Sequence, residues 1–268
     1  MTVVNQQYRK LNQSGATPRE ISEVVNNLMD GKSNNVGTIS LNTGWATTTT
    51  IYNERIGYDS IILLAPSSDA AEIDAAPYGC FTNNTDQIAP SVGSTAVVVY
   101  DSTEESSGVY FDPVNTSRIY VRNYGVYNVQ FSVQLVNKDN APQHADIWFR
   151  LNGTDVARSA SRFDIPARKS ATVWGHTVGT VNTFIEMTAG QYVEIAGTTS
   201  STLIGLESYP ADGAIPSPAI PAAIVTVQYI APFSLDNVYI SSQQKGQATI
   251  SHFANDTADK TYKYLVVG

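Results

Sequence analysis

The side chains that could carry chemistry in this chain are few, and their spacing matches no catalytic motif. The only histidines are His144, His176 and His252, and hydrolysis through a nucleophile would require one of them as a general base. None belongs to an HExxH, GxSxG or phosphate-loop pattern, so each is interpreted as a surface or strand residue. We therefore predict no catalytic residue, and we expect that the chain is not an enzyme.

Carboxylates and a thiol supply the remaining candidates. Glu104 and Glu105 lie in a stretch whose composition predicts a solvated turn rather than a general acid and base. Asp139 and Asp146 could offer oxygen ligands to calcium, but no EF-hand spacing surrounds them. The single cysteine, Cys80, permits no disulfide within the chain and is interpreted as a small buried side chain. The sequence therefore predicts no metal site and no cofactor.

Composition and charge exclude two classes of partner. The net charge is -8 and the basic residues are scattered, so no stripe could neutralise a row of phosphates, and we expect no nucleic-acid partner. The apolar run at 61–65 is too short for membrane insertion. The first ten residues lack the apolar core of a secretory signal, so we expect synthesis in a cytoplasm and export as part of a particle.

The elements that must position these residues are mostly strands. Of the 268 residues, 42% are hydrophobic and only 15% are charged, and Thr, Val, Ile and Tyr recur in short runs. One helix is predicted, with Thr17 as its cap, Pro18 at its first position, Glu20 closing a capping box, and Gly31 ending it.

The predicted helix is amphipathic. Five apolar residues recur at helical spacing and define the helix face: Ile21, Val24, Val25, Leu28 and Met29. A helix of about three turns does not persist alone in water. We therefore expect the helix face to dock either on the chain's own β domain or on a partner, which could be another copy of the chain.

The strand runs divide into three parts. Residues 1–31 form an N-terminal arm and the helix, residues 32–78 plus 232–268 form a small discontinuous β domain, and residues 79–231 form an inserted β head. Strand signals recur in the head every 8 to 12 residues, which is typical of a sandwich or jelly roll. The predicted fold is mainly β, with a jelly-roll sandwich inserted into a smaller β domain and one short N-terminal helix.

A hairpin in the head carries unusually large side chains. Asn152 and Gly153 both tolerate positive φ and predict a two-residue turn. In the strand before it, an apolar trio alternates with Trp148 and Arg150, so the trio is expected to face the core. Trp148 and Arg150 then lie on the outer or subunit-facing side, either as a trimer or ligand surface or as ordinary surface residues.

Four head segments resemble the complement-component and tumour-necrosis-factor superfamily over about residues 95–230. They are GVYFDPVNTSRIYVRNYGVYNVQFSVQL, IWFRLNGTDVARS, MTAGQYVEI and AAIVTVQYI. The flanking segments MDGKSNNVGTISL, TTTTIYNERIGYDSIILLAPSSDAAEI and GQATISHFANDTADKTYKYLVVG resemble a short virion protein of marine and cyanobacterial tailed phages. In that protein the two flanking pieces are contiguous, so the head is expected to be an insertion between them.

The resemblance implies a structural role in a virion. It implies a homotrimeric tailed-phage protein, with the small β domain fixing it to the particle and the head displayed outward. A capsid decoration or head-fibre protein bound to the major capsid protein is favoured, because the chain lacks the repeats of a fibre shaft. The alternatives are a tail-associated adaptor or fibre protein bound to portal or tail proteins, and a carbohydrate-binding surface module that contacts a host glycan or protein. For the last, Trp148, Trp174, Tyr110 and Tyr124 could stack on sugar rings.

Overall fold

The structure is a computed structural model that describes residues 8, 10–30, 34–68, 76–88, 91–212, 217–230 and 238–268. The first elements are α1 (Pro18–Met29), β1 (Val36–Ser40), β2 (Ala46–Tyr52) and β3 (Ile61–Pro66). The next are β4 (Tyr78–Asn83), β5 (Gln87–Ile88), β6 (Ala96–Val97), β7 (Ser102–Ser107), β8 (Val109–Phe111), β9 (Ile119–Val121) and β10 (Gly125–Asn137). They are followed by β11 (Gln143–Leu151), β12 (Thr154–Asp155), β13 (Ser161–Ile165), β14 (Gly175–Met187), β15 (Tyr192–Thr199), β16 (Ile204–Leu206) and β17 (Ala223–Ile230). The last are β18 (Tyr239–Gln244), β19 (Gln247–Asn255) and β20 (Thr261–Val267).

The predicted fold class is confirmed. The chain is mainly β, with the single helix α1 among the described residues, and its sheets form an open sandwich of jelly-roll type. Backbone contacts divide the chain into two units. The small unit comprises residues 1–74 plus 234–268, and the head comprises residues 75–233. The predicted helix end at Gly31 and half of the arm before the helix (residues 1–16) lie outside the described residues, as do residues 69–75 and 231–237 near the boundaries between the two units.

The helix begins as its sequence predicts. The Thr17 hydroxyl accepts a hydrogen bond from the Glu20 backbone N–H at 3.3 Å, and the Glu20 carboxylate accepts one from the Thr17 N–H at 2.8 Å. This reciprocal capping box and Pro18 at the first position satisfy donors that a helix start leaves open. No residue of the helix is buried, so packing in a single chain does not explain its stability.

The small unit is built from two three-stranded antiparallel sheets, in the orders β1-β20-β3 and β18-β19-β2. The central strand of each sheet comes from the segment after the head, because β1 and β3 both pair with β20 and β2 pairs with β19. Neither half of the discontinuous unit therefore forms these sheets alone.

The small unit has its own hydrophobic core. Its buried residues come from both halves of the unit: Ile39, Leu41, Ile51, Ile56, Ala248, Ile250, Tyr262, Tyr264 and Val266. Gly37 is required beside Tyr264, because an added Cβ would overlap the tyrosine ring. His252 is buried in this unit, where its Nδ1 donates to the Phe253 carbonyl oxygen at 2.7 Å and its Nε2 lies 2.9 Å from the Thr49 hydroxyl.

The head consists of two seven-stranded antiparallel sheets. The first head sheet runs β5-β16-β10-β17-β4-β7, with β14 also paired to β10 along its whole length. The second head sheet runs β12-β11-β15-β9-β8, with β13 paired to β11 and β6 paired to β15. A single core that includes Phe81, Phe131, Phe149 and Val225 lies between them. In β10 the burial alternates along the strand, with Tyr127, Val129, Phe131, Val133 and Leu135 in this core.

The hairpin at Asn152 and Gly153 also forms as predicted. Their φ values of 49° and 78° are those of a tight turn with two left-handed residues. Ile147 and Phe149 are buried and Leu151 packs against the core, which leaves Trp148 and Arg150 on the opposite side of β11.

The predicted turn at Glu104 and Glu105 is wrong, because both residues lie in strand β7. This strand pairs with β4 at the edge of the first head sheet. An edge strand needs a partner on one side only, and charged side chains on it discourage pairing with another chain. Both side chains are nevertheless exposed, and the Glu104 carboxylate accepts a hydrogen bond from the Thr82 hydroxyl at 2.8 Å.

Candidate interaction surfaces

The broadest candidate surface is the side of the first head sheet that points away from the core. We define the head face as the outward side chains of β14, β10, β17 and β4. They are Val178, Thr180, Asn182, Phe184, Glu186, Val126, Asn128, Gln130, Ser132, Gln134, Ile224, Thr226, Gln228, Ile230, Tyr78, Cys80 and Thr82. Direct cross-strand neighbours lie about 5 Å apart, so the face is continuous.

The head face is poor in charge, and its uncharged polar side chains are interspersed with exposed apolar ones. Its four strands contain a single Asp, Glu, Lys or Arg, which is Glu186, although these residues make up 15% of the chain. Phe184 is 66% exposed, and Val178, Val126 and Ile230 are also exposed. Depletion of charge together with exposed aromatic and aliphatic groups is typical of the centre of a protein interface.

Cys80 lies on β4, the outermost of the four strands of the head face, and is half-buried in the single chain. Burial raises the pKa of its thiol, and the nearby Glu104 carboxylate raises it further. The thiol is therefore held protonated, which lowers its reactivity as a nucleophile. This position makes Cys80 a reporter for whatever covers the head face.

Trp148 and Arg150 lie on the outer side of the second head sheet, and both contact the hairpin that follows them. The Trp148 indole Nε1 donates to a carboxylate oxygen of Asp155 at 2.7 Å. Arg150 Nε lies 3.0 Å from the same oxygen, and Arg150 Nη2 donates to the Gly153 carbonyl oxygen. The two large side chains therefore brace the Asn152-Gly153 turn within the chain, and they remain half-buried rather than fully exposed.

Three tyrosines form a row on the same sheet, and only Tyr110 among them is a candidate from the sequence. Tyr110, Tyr120 and Tyr192 are direct neighbours across β8, β9 and β15, with ring centroids 5.5 Å and 5.2 Å apart. The Arg122 guanidinium lies 4.3 Å from the Tyr110 ring centroid, and that of Arg118 lies 4.7 Å from the Tyr192 centroid. The alternation of Arg118, Tyr120 and Arg122 in the sequence is the signal that could have predicted this cluster.

The aromatic residues considered for sugar stacking all have partners within the chain. Tyr110 stacks on Tyr120, and Lys138 Nζ lies 3.9 Å from the Trp174 ring centroid. The Tyr124 hydroxyl donates to the Glu186 carboxylate, and Trp148 is bonded to Asp155. Each of the four residues therefore has at least one ring or polar contact within the chain.

The histidines are not brought together. His144 lies in β11, His252 lies in the small unit, and His176 lies in β14 of the head. His176 Nδ1 is 3.0 Å from the Tyr209 hydroxyl, which donates to the Glu207 carboxylate at 2.7 Å. Burial and the Glu207 carboxylate both raise the pKa of Tyr209, so its hydroxyl stays protonated and is not an activated nucleophile.

The two aspartates considered for calcium are held by partners of the chain itself. The Asp139 carboxylate accepts hydrogen bonds from the Ala141 N–H, the Gln143 amide and the Ser201 hydroxyl, and these lower its pKa. Arg162 donates twice to Asp146, each time at 2.7 Å. Within the described part of the chain, no three His, Cys, Asp or Glu side chains are grouped as a metal site. An apolar cavity of about 100 Å³ in the head has no ionisable residue in its lining.

The Asp146–Arg162 pair predicts a modest dependence of head stability on pH. Hydrogen bonds from Arg162 lower the pKa of Asp146, so the pair stabilises the folded state above the carboxyl's ordinary pKa. This contribution is lost as the pH falls through the folded pKa. In Asp146→Asn we expect a small drop in melting temperature at pH 7 and a smaller difference from the parent protein near pH 3. Glu105→Gln on β7 is the matched control, and an equal loss at both pH values would contradict the prediction.

The helix face is exposed in the structure. Ile21, Val25, Leu28 and Met29 all point into solvent, with Leu28 68% and Met29 82% exposed, while Val24 is half-buried. No helix within the described ranges is long and apolar enough to cross a membrane. A short apolar stripe of this kind is instead suited to a protein groove or to a neighbouring apolar sheet.

Together these features define a two-unit β protein with a jelly-roll head, which carries exposed apolar side chains on the helix and on the head. The chain matches no protein-family model, and no curated protein matches it significantly.

Proposed function

We propose that this protein is a non-enzymatic structural protein of a tailed-phage virion. It is a homotrimer in which the head faces of three copies associate, and it attaches to the particle through the small unit and the helix. Of the possible placements we favour a capsid decoration or head-fibre protein on the major capsid protein. The proposal rests on the sequence resemblance of the head and its flanks, together with the surfaces described above.

The observation that carries the self-association is the composition of the head face. Removing its apolar groups from water contributes about 25 cal/mol per Å² of buried apolar surface. Because Glu186 is the only formal charge on its four strands, few charges would have to be desolvated when the faces meet. In a trimer with closed cyclic symmetry, the same surface of each copy makes the contacts with both neighbours.

Replacing Phe184 by aspartate is expected to dissociate the trimer without unfolding the head. A buried charge in place of the most exposed aromatic group of the head face should raise the dissociation constant by about 30-fold or more. Sedimentation equilibrium over a range of concentrations measures the change. In the same samples, the rate at which a maleimide labels Cys80 should be slow in the trimer and faster in the variant.

Val114→Asp is the matched control, because Val114 is 85% exposed in a loop of the same head. It should leave both the mass and the labelling rate unchanged. A parent protein that is monomeric at tens of micromolar, with Cys80 freely labelled, would contradict the proposed trimer.

The placement is tested by cryo-electron microscopy of particles that carry the protein. Copies repeated over the capsid shell are expected, and their contacts would involve the small unit or the helix. Density confined to the portal or tail would favour the alternative of a tail-associated adaptor. Absence of the protein from purified particles would overturn the virion proposal.

A further inference from the structure

The small unit exposes a second apolar surface that no part of the described chain covers. We define the small-sheet face as the outward side chains of sheet β1-β20-β3. Its apolar members are Val36, Leu265, Val267, Ile61, Leu63 and Ala65. Ile61 is 61% exposed and Leu63 is 55% exposed, and the register places Val36, Leu265 and Leu63 side by side. A groove runs along this face, and Tyr8 forms part of its lining.

The dimensions of the small-sheet face match those of helix α1. Three strands spaced about 4.8 Å apart make a surface about 10 Å wide, which is the diameter of a helix with its side chains. Strands of six or seven residues are about 20 Å long, and a helix of 12 residues is about 18 Å long. One helix therefore covers the whole face.

The chemistry of the two surfaces is also complementary. The helix face is wholly aliphatic apart from the Met29 thioether, and on the small-sheet face the row of Val36, Leu265 and Leu63 is aliphatic, with Lys263 in the next row of the central strand. The three strands contain one charged residue, Lys263, whereas helix α1 carries one basic residue and two acidic ones. A helix lying on this sheet would therefore pair apolar groups with apolar groups, while Arg19 and Glu23, on the opposite side of the helix, would stay in solvent.

In the single chain, however, the two surfaces do not meet. The Tyr8 N–H donates to the Asn34 side chain at 2.6 Å, and the Asn34 amide donates to the Tyr8 carbonyl oxygen at 3.0 Å. These two hydrogen bonds join residues 8 and 34, which lie on either side of helix α1 in the sequence, close to the start of β1. The helix face meanwhile remains exposed to solvent.

We propose that helix α1 of one copy docks on the small-sheet face of a neighbouring copy. The proposal rests on the proposed self-association of the chain, but it uses different residues from the head face. Each copy would donate one helix and receive one, and such a head-to-tail contact closes into a ring when its rotation matches the symmetry of the assembly. The small unit is then complete only in the oligomer.

A disulfide experiment with mixed copies tests the docking directly. In a Cys80→Ser background, one full-length preparation carries Leu28→Cys on the helix, and a second, distinguished by a mass tag, carries Leu63→Cys on the sheet. Mixing and mild oxidation should yield a cross-linked product that contains one chain of each mass. The matched control replaces Leu28→Cys with Val114→Cys, and its yield of mixed product should be at least about tenfold lower.

The other possible occupants give different results. A chain that carries both Leu28→Cys and Leu63→Cys and cross-links only within itself would show that the helix covers its own sheet, which overturns the proposal. Failure of the mixed pair to cross-link above the control would also overturn it and would favour another virion protein as the occupant.

The same experiment separates this proposal from the head-face trimer. Repeating the cross-linking with Phe184→Asp in both chains weakens the head contact alone. Mixed cross-links that persist there support the helix docking even if the head face plays no part in assembly. In chains that carry Phe184→Asp, adding Leu28→Asp should raise the dissociation constant by a further factor of about ten or more. Leu28→Asp alone should leave the association through the head face measurable.

Discussion

Replacing Phe149 by alanine is expected to lower the free energy of unfolding of the head by about 3–5 kcal/mol and to leave the small unit unchanged. Phe149 has no exposed surface, and its ring centroid lies 5.3 Å from that of Phe131 in the core between the two head sheets. Removing the ring leaves a cavity that both sheets line. Denaturant-dependent hydrogen exchange measures the effect, with peptides from β10 reporting on the head and peptides from β19 reporting on the small unit.

The control for this prediction is Val114→Ala, which removes two methyl groups from an exposed loop position of the same unit. It should alter exchange in neither unit. If Phe149→Ala accelerated exchange equally in β10 and β19, the two units would unfold as one cooperative structure, and the division of the chain at residues 74/75 and 233/234 would have no energetic meaning.

Removing residues 238–268 is expected to abolish the structure of the small unit completely. The deletion takes away the central strand of both three-stranded sheets, so β1, β2 and β3 lose the strands with which they pair. It also removes Tyr262, Tyr264 and Ile250 from the core. Amides of residues 36–66 should then exchange at the rates of an unfolded chain, while those of β10 and β14 keep their protection.

A separate peptide of residues 238–268 supplies the control for that deletion. If the loss is caused by missing strand partners, adding the peptide at high concentration should restore part of the protection in residues 36–66. Persistent protection in β1 and β3 without the peptide would contradict the sheet order β1-β20-β3.

Features governed by local chemistry could be predicted from the sequence. The Thr17–Glu20 capping box depends on residues three apart, and the turn at Asn152 and Gly153 depends on two residues that accept positive φ. The alternation of apolar and polar residues in β10 is a signal of the same local kind, because one face of a strand in a core must be apolar. The helix face followed from spacing alone.

The remaining features depend on pairing between distant residues. Ser40 and Thr261 are direct partners 221 positions apart, and no local pattern identifies such a pair. The polar strand β7 was mistaken for a turn because its pairing with β4 supplies the stability that its own composition lacks. The head face depends on pairing in the same way, since β10, β14 and β17 form one surface with a single charged residue only when they lie side by side.

The division of the small unit between two segments also sets the order of events during synthesis. A ribosome delivers β1, β2 and β3 first, then the whole head, and β19 and β20 afterwards. The early strands must wait unpaired while the head folds, and Ile61, Ile62, Leu63 and Leu64 are then an aggregation risk that a chaperone would have to shield. A chain interrupted before residue 247 lacks β19 and β20 and cannot form the small unit. Incomplete copies therefore cannot bind at any site that recognises the folded small unit.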